Sequence, residues 1–193
     1  MKRRKWVLGS LALIVVSGVW SGVALATSRV VNARDVRTIE NGEGEARWLL
    51  DFGSLNDLEG VLITGAFIDV DLPGEIPNED IDVAVYTLDT RWSDGATTWT
   101  SPWENPGGDV NGTCSRSVTM FAGDRAPRLR INVTQAVRSM LRGEQPANGF
   151  LLSVPVQSGD GFRSPERTVL GTLSGAKLDI QYVRVARRAR VGR

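Results

Sequence analysis

Ile81-Asp82-Val83-Ala84-Val85-Tyr86-Thr87-Leu88 sets Ile81, Val83 and Val85 on one side of the chain against Asp82, Ala84 and Tyr86 on the other. Alternate side chains of a strand point to opposite faces, so this stretch reads as a strand with one face on a core and one in water. Arg128-Leu129-Arg130-Ile131-Asn132-Val133 has the same rhythm. So does Lys177 to Tyr182, where Leu178, Ile180 and Tyr182 alternate with Lys177, Asp179 and Gln181. Half-wet strands of this kind belong to antiparallel sheets. Residues 46–52, 61–70, 96–100, 118–121, 149–154 and 168–173 are further expected strands. Turn signals at Leu72-Pro73-Gly74, Asn105-Pro106-Gly107-Gly108 and Ser158-Gly159-Asp160-Gly161 separate them.

One segment departs from the two-residue rhythm. Val137, Met140 and Leu141 fall at i, i+3 and i+4, which predicts a two-turn helix after Thr134 and before Gly143. Thr134 is the expected N-cap, and Gly143 the left-handed residue that ends the helix. The expected fold is therefore all-β, a jelly-roll-like antiparallel β-sandwich with one short α-helix closing an end.

The chain has 193 residues, which suits one domain, or at most a domain plus an appendage. It contains no histidine, which excludes Ser-His-Asp and Cys-His nucleophiles and His-ligated metal sites. A single cysteine, Cys114, excludes an internal disulfide, a thiolate zinc site and an iron–sulfur cluster. An enzyme would then have to run on carboxylates, Tyr, Lys, Ser or Cys; a glycosidase needs two carboxylates across a cleft, and no spacing singles out such a pair. A non-catalytic protein is expected.

Lys2-Arg3-Arg4-Lys5 precedes an uncharged apolar run over residues 6–26 that ends in Ala24-Leu25-Ala26. A basic start, an apolar middle and a small-x-small end make a secretory signal peptide, with cleavage expected after Ala26. An uncleaved anchor is the alternative, since the run is long enough to span a bilayer. No stable membrane insertion is expected once it is removed. The remainder divides into a lead-in at 27–45, a sandwich domain at 46–183 and a basic tail at 184–193. It is expected outside the cytoplasm: secreted, periplasmic or on the cell surface.

The leader takes four of the 23 positive charges and none of the 22 negative ones. Of the cations left, Lys177 is the sole lysine, and Arg184, Arg187, Arg188, Arg190 and Arg193 crowd into the last ten residues. The body is thus acidic, and no nucleic-acid partner is expected.

Trp92, Trp99 and Trp103 lie within twelve residues. Trp103, beside Pro102 in a Gly/Pro-rich loop, is the expected exposed platform for a sugar ring, with Trp92 as a second; Trp99 is expected in the core. Arg128 and Arg130 project from one strand face about 6.6 Å apart, each able to hold a carboxylate or sulfate bidentately. No cofactor is expected. Calcium is the one metal the oxygen-rich turn around residues 69–82 suits, with Asp69, Asp71, Asp80 and Asp82 as candidate ligands.

Several motifs together resemble the DNRLRE-domain family. They are Arg47-Trp48-Leu49-Leu50-Asp51-Phe52-Gly53-Ser54, Gly65-Ala66-Phe67, Trp92-Ser93-Asp94-Gly95-Ala96-Thr97-Thr98-Trp99, Ile131-Asn132-Val133-Thr134-Gln135-Ala136-Val137, Gly149-Phe150-Leu151-Leu152 and residues 177–182. The resemblance covers residues 47–182 in order, with Asn132 where the family has an aspartate. It implies a secreted jelly-roll of the carbohydrate-binding-module kind and a polysaccharide partner, including acidic ones. A surface structural or adhesive protein that contacts protein or envelope is the first alternative, and a carboxylate-based polysaccharide hydrolase or lyase the second.

Overall fold

The computed structural model describes residues 25–42, 45–71, 80–123, 128–154 and 175–184. Among them lie nine strands: β1 (Leu25–Asn32), β2 (Asp35–Glu40), β3 (Ala46–Asp51), β4 (Leu62–Asp71), β5 (Ile81–Leu88), β6 (Val110–Met120), β7 (Arg128–Asn132), β8 (Phe150–Ser153) and β9 (Ala176–Arg184). A 3-10 turn at Asn56–Leu58 precedes β4, and α1 (Thr134–Leu141) links β7 to β8. The first sheet runs β1-β9-β4-β7 and the second β2-β3-β8-β5-β6, with every pairing antiparallel. Apart from β2, which extends the second sheet as a hairpin partner of β3, each sheet has four strands. Among the described strands, every connection except β2–β3 and β5–β6 crosses between the sheets, which is the jelly-roll topology. The lead-in thus supplies one strand to each sheet, and β1 begins at Leu25, inside the apolar run.

The alternating residues meet between the sheets. Trp48 and Leu50, Ile68 and Val70, Val83 and Val85, Ile131, Leu152, Leu178 and Ile180 are all at most 1% exposed. Phe52 and Phe150 meet edge to face at 6.0 Å. Each such side chain contributes on the order of 2 kcal/mol by leaving water.

Other expectations need correction. Residues 96–100 form no strand: the Ala96 and Thr97 N–H groups both turn back to the Ser93 carbonyl. Strand β6 starts at Val110, earlier than expected, and residues 168–173 lie outside the described residues. Thr134 does not cap α1. Its hydroxyl accepts from Ala66 N–H at 2.9 Å, clamping the helix to β4, while Asn132 Oδ1 accepts from Thr134 N–H. Gly143 does end the helix, at φ +71°. Its N–H reaches Met140 O and the Glu144 N–H reaches Ser139 O, the paired bonds of a Schellman motif. The irregularity in β4 between Ile63 and Gly65 exposes the Ile63 carbonyl, which accepts from Arg138 Nε and Nη2 at 3.0 and 2.6 Å.

Gly149 enters β8 at φ +96°, where a Cβ would stand 2.4 Å from the Leu50 carbonyl oxygen. Gly149→Ala is expected to cost about 2–3 kcal/mol through backbone strain and that clash. Urea unfolding followed by tryptophan fluorescence measures the loss.

Candidate functional site

The second sheet is not wet on its outer face. Residues 89–109, between β5 and β6, fold back over it and form a second buried cluster of Ile39, Leu49, Leu88, Leu151, Trp92 and Trp103, flanked by Tyr86 and Trp99. The central strands are therefore buried on both sides: Trp48, Leu49 and Leu50 of β3 stand opposite Leu152, Leu151 and Phe150 of β8.

The loop keeps its shape through a few polar knots. Asp109 closes its two ends: Thr90 Oγ1 and Glu104 N–H donate to Oδ2 at 2.7 and 3.0 Å, and Asn105 N–H donates to Oδ1 at 2.8 Å. Thr97, 1% exposed, bonds Ser93 in both directions, with its hydroxyl donating to Ser93 O and accepting from Ser93 N–H. Two arginines from the sheet hold the loop down. Arg37 donates from Nε to Thr97 O at 2.6 Å and from Nη1 to Asp94 O. Arg47 donates to Gly107 O at 2.9 Å, pairs with Glu45, and lays its guanidinium 4.8 Å from the centre of the Trp99 ring. Gly107, at φ +90°, admits this approach, since a Cβ there would lie 2.7 Å from Arg47 Nη1.

The tryptophans exchange their expected roles. Trp103 is 7% and Trp92 8% exposed, so neither is a free platform. Their indole N–H groups donate inward, to Thr98 O and Asn148 O. Trp99, the expected core residue, is the less buried one.

Arg130 is not a free ligand clamp. Arg130 donates to Asp69 Oδ2 at 2.6 Å and Asp179 Oδ2 at 2.8 Å and covers the Phe67 ring at 4.2 Å. Its charge is already matched, and the two acids hold its pKa above the usual value. The Arg128 side chain lies outside the described residues. The calcium candidates do not converge either: Asp69 belongs to the first sheet, while Asp80 and Asp82 flank the start of β5 in the second. Asp80 accepts from Ala122 N–H and Asp82 from the Thr119 hydroxyl. The Asp71 side chain lies outside the described residues, as does that of Cys114. Among the described residues no group of three or more acidic or cysteine side chains could hold a metal ion, and no helix is long and apolar enough to cross a membrane.

One feature escaped the sequence. Arg91, Trp92, Ser93, Ala96, Thr97, Ser101 and Pro102 line a depression of about 290 Å³ on the loop, beside the cis Ser101–Pro102 bond. That size lies at the lower edge of small-ligand pockets. Arg91 is exposed and makes no hydrogen bond or ion pair among the described residues. The arginines around it, Arg37 and Arg47, are committed to the loop. The chain matches no model of a known protein family, and no curated protein is significantly similar to it.

Burial opposes the Asp109 charge, but the bonds from Glu104, Thr90 and Asn105 outweigh it and hold the carboxyl at about 2, below the usual 3.8. A depressed carboxyl stabilises the fold above its unfolded pKa, and that contribution is lost as pH falls through the folded value. The loop is therefore expected to loosen between about pH 4 and pH 2. Near-ultraviolet circular dichroism of the tryptophans reads this change, and Asp109→Asn should flatten it in that window.

Proposed function

We propose that this protein is an exported, non-catalytic carbohydrate-binding module that holds an acidic polysaccharide at the Arg91–Trp92 depression. The observation that carries the reading is an uncommitted arginine in the wall of a concave site that also holds an indole, a proline ring and two serines. A guanidinium takes a carboxylate or sulfate through two parallel hydrogen bonds. The exposed Pro102 ring suits the C–H face of a sugar, and the Ser93 and Ser101 hydroxyls donate and accept at its rim. The volume fits a single sugar unit, so the site grips one residue of a longer chain rather than a long stretch. The resemblance to DNRLRE domains supports the same reading, as does the secretory leader expected from residues 1–26. Binding through one exposed cation is weak and salt-sensitive.

Affinity electrophoresis through gels containing alginate, pectate or a neutral glucan, at two ionic strengths, tests it. Retardation by an acidic polymer is expected, weakening with salt. Arg91→Ala should weaken it about tenfold, the scale of one charge-assisted contact. Arg116→Ala, an exposed arginine on β6, should leave it unchanged. Free migration through every polymer, or equal retardation of Arg91→Ala, would overturn the proposal.

A further inference from the structure

We propose that Asn111-Gly112 is a self-modification site. The Gly112 backbone nitrogen attacks the Asn111 carboxamide and closes a succinimide ring, which water opens to aspartate or isoaspartate. The sequence carries three Asn-Gly pairs: Asn41-Gly42, Asn111-Gly112 and Asn148-Gly149. At each of them glycine puts no Cβ beside the attacking nitrogen. The fold tells them apart.

Two are held. Asn148 donates from Nδ2 to Asp89 O at 2.8 Å, and its backbone carbonyl accepts from the Trp92 indole at 3.0 Å. Gly149 is buried and set at φ +96° against the Leu50 carbonyl, so the peptide between the two residues has no room to turn. Asn41 has its carboxamide fixed at both ends by Glu45. Its Oδ1 accepts from the Glu45 N–H at 3.1 Å, and its Nδ2 donates to Glu45 Oε2 at 3.4 Å.

Asn111-Gly112 differs in each respect. Strand β6 is an edge of the second sheet, and its register with β5 slips just after Asn111. Thr87 pairs with Asn111 and Val85 with Arg116, so residues 112–115 stand against Tyr86 alone. A bulge leaves its extra residues out of the ladder. Gly112 is exposed, and a Cβ there would meet nothing within 4 Å. The Asn111 Nδ2, which departs as ammonia, makes no hydrogen bond among the described residues. The Asn111 Oδ1 accepts from Thr113 N–H at 3.0 Å. That oxygen gains negative charge as the ring closes, so a donor already stands where the charge develops.

The atoms balance with water alone. Gly112 N gives its proton to solvent base and bonds to Asn111 Cγ; the Cγ–Nδ2 bond breaks, and the leaving nitrogen takes a proton from water. Water then opens either ring carbonyl. Opening at Cγ restores the main chain with an aspartate. Opening at the backbone carbonyl routes the main chain through Asn111 Cβ and lengthens it by an atom. The Thr87–Asn111 and Leu88–Val110 pairs close the neck of the loop over residues 89–109, so the longer backbone falls where that loop is fastened. The chemistry is independent of the glycan reading.

The full chain, folded or in urea, is incubated in mildly alkaline buffer made with heavy-oxygen water. Peptide mapping by mass spectrometry follows the heavy carboxylate oxygen at the three asparagines. The folded-state rate divided by the rate in urea is expected to be about tenfold higher at Asn111 than at Asn41 or Asn148. Equal ratios at the three sites would overturn the inference. Gly112→Ala, whose added methyl enters open space, should slow folded-state conversion at Asn111 about tenfold by crowding the attacking nitrogen. An unchanged rate in that variant would overturn the inference as well, because it would mean that water attacks the carboxamide directly.

Discussion

The structure depends on covering the second sheet twice. Its central strands β3 and β8 carry Trp48-Leu49-Leu50 against Phe150-Leu151-Leu152, apolar on both faces. Packing against the first sheet satisfies Trp48, Leu50, Phe150 and Leu152, but leaves Leu49 and Leu151 turned outward. Left in water, each would forfeit on the order of 2 kcal/mol. Residues 89–109 close that face with two tryptophans, so the longest described connection in the molecule is a piece of core rather than a free loop. A connection of this length without strands is otherwise uncommon in a compact domain.

Holding such a segment down requires polar anchors that reach over a sheet, and arginine supplies them. Its planar fork matches carbonyl pairs and carboxylates at once, where an ammonium offers a single point charge. Arg37 and Arg47 tie the loop to β2 and β3, Arg138 satisfies the carbonyl freed by the β4 irregularity, and Arg130 spans from β7 to the acids of β4 and β9. A body with one lysine and many arginines is intelligible on these grounds. Most described arginines serve the fold, so the uncommitted Arg91 stands out.

Strict alternation made the first core legible. Strands β5, β7 and β9, together with α1 and its glycine stop, follow from residue periodicity, and Ile81, Val83, Val85, Leu129, Ile131, Leu178, Ile180 and Tyr182 are buried as expected. Ala84, expected in water, is buried too, and in α1 Ala136 and Ser139 are buried with Val137 while Met140 and Leu141 are half-buried. What alternation could not convey is a sheet covered on both sides. The signal was present in the unbroken triplets at 48–50 and 150–152, since a short continuous apolar run marks a strand buried on both faces. Trp99 and Trp103 were assigned opposite fates because local sequence says nothing of which ring the sheet will swallow. The Thr97-Thr98 pair suggested a strand, but the Thr97 hydroxyl closes a turn on Ser93, as such side chains do when they compete with the ladder. The depression at Arg91 was illegible for the same reason, because it arises from how that turn and Pro102 pack together.

The proposed location of binding chemistry rests on a comparison of the surfaces the fold offers. A β-sandwich offers two outer sheet faces and the loops at its rims. The second sheet has surrendered its outer face to the loop. On the outer face of the first sheet the largest ring, Phe67, lies under Arg130, whose charge is met by Asp69 and Asp179. A sugar seated there would have to displace a guanidinium already held by two carboxylates, exchanging charge-assisted hydrogen bonds for neutral ones of about half the strength. The covering loop escapes that penalty, because its own shape creates a concave surface whose arginine has no partner to lose. In the proposed reading, recognition and folding use the same segment: Trp92, which helps complete the core, also backs the wall against which a ligand would rest.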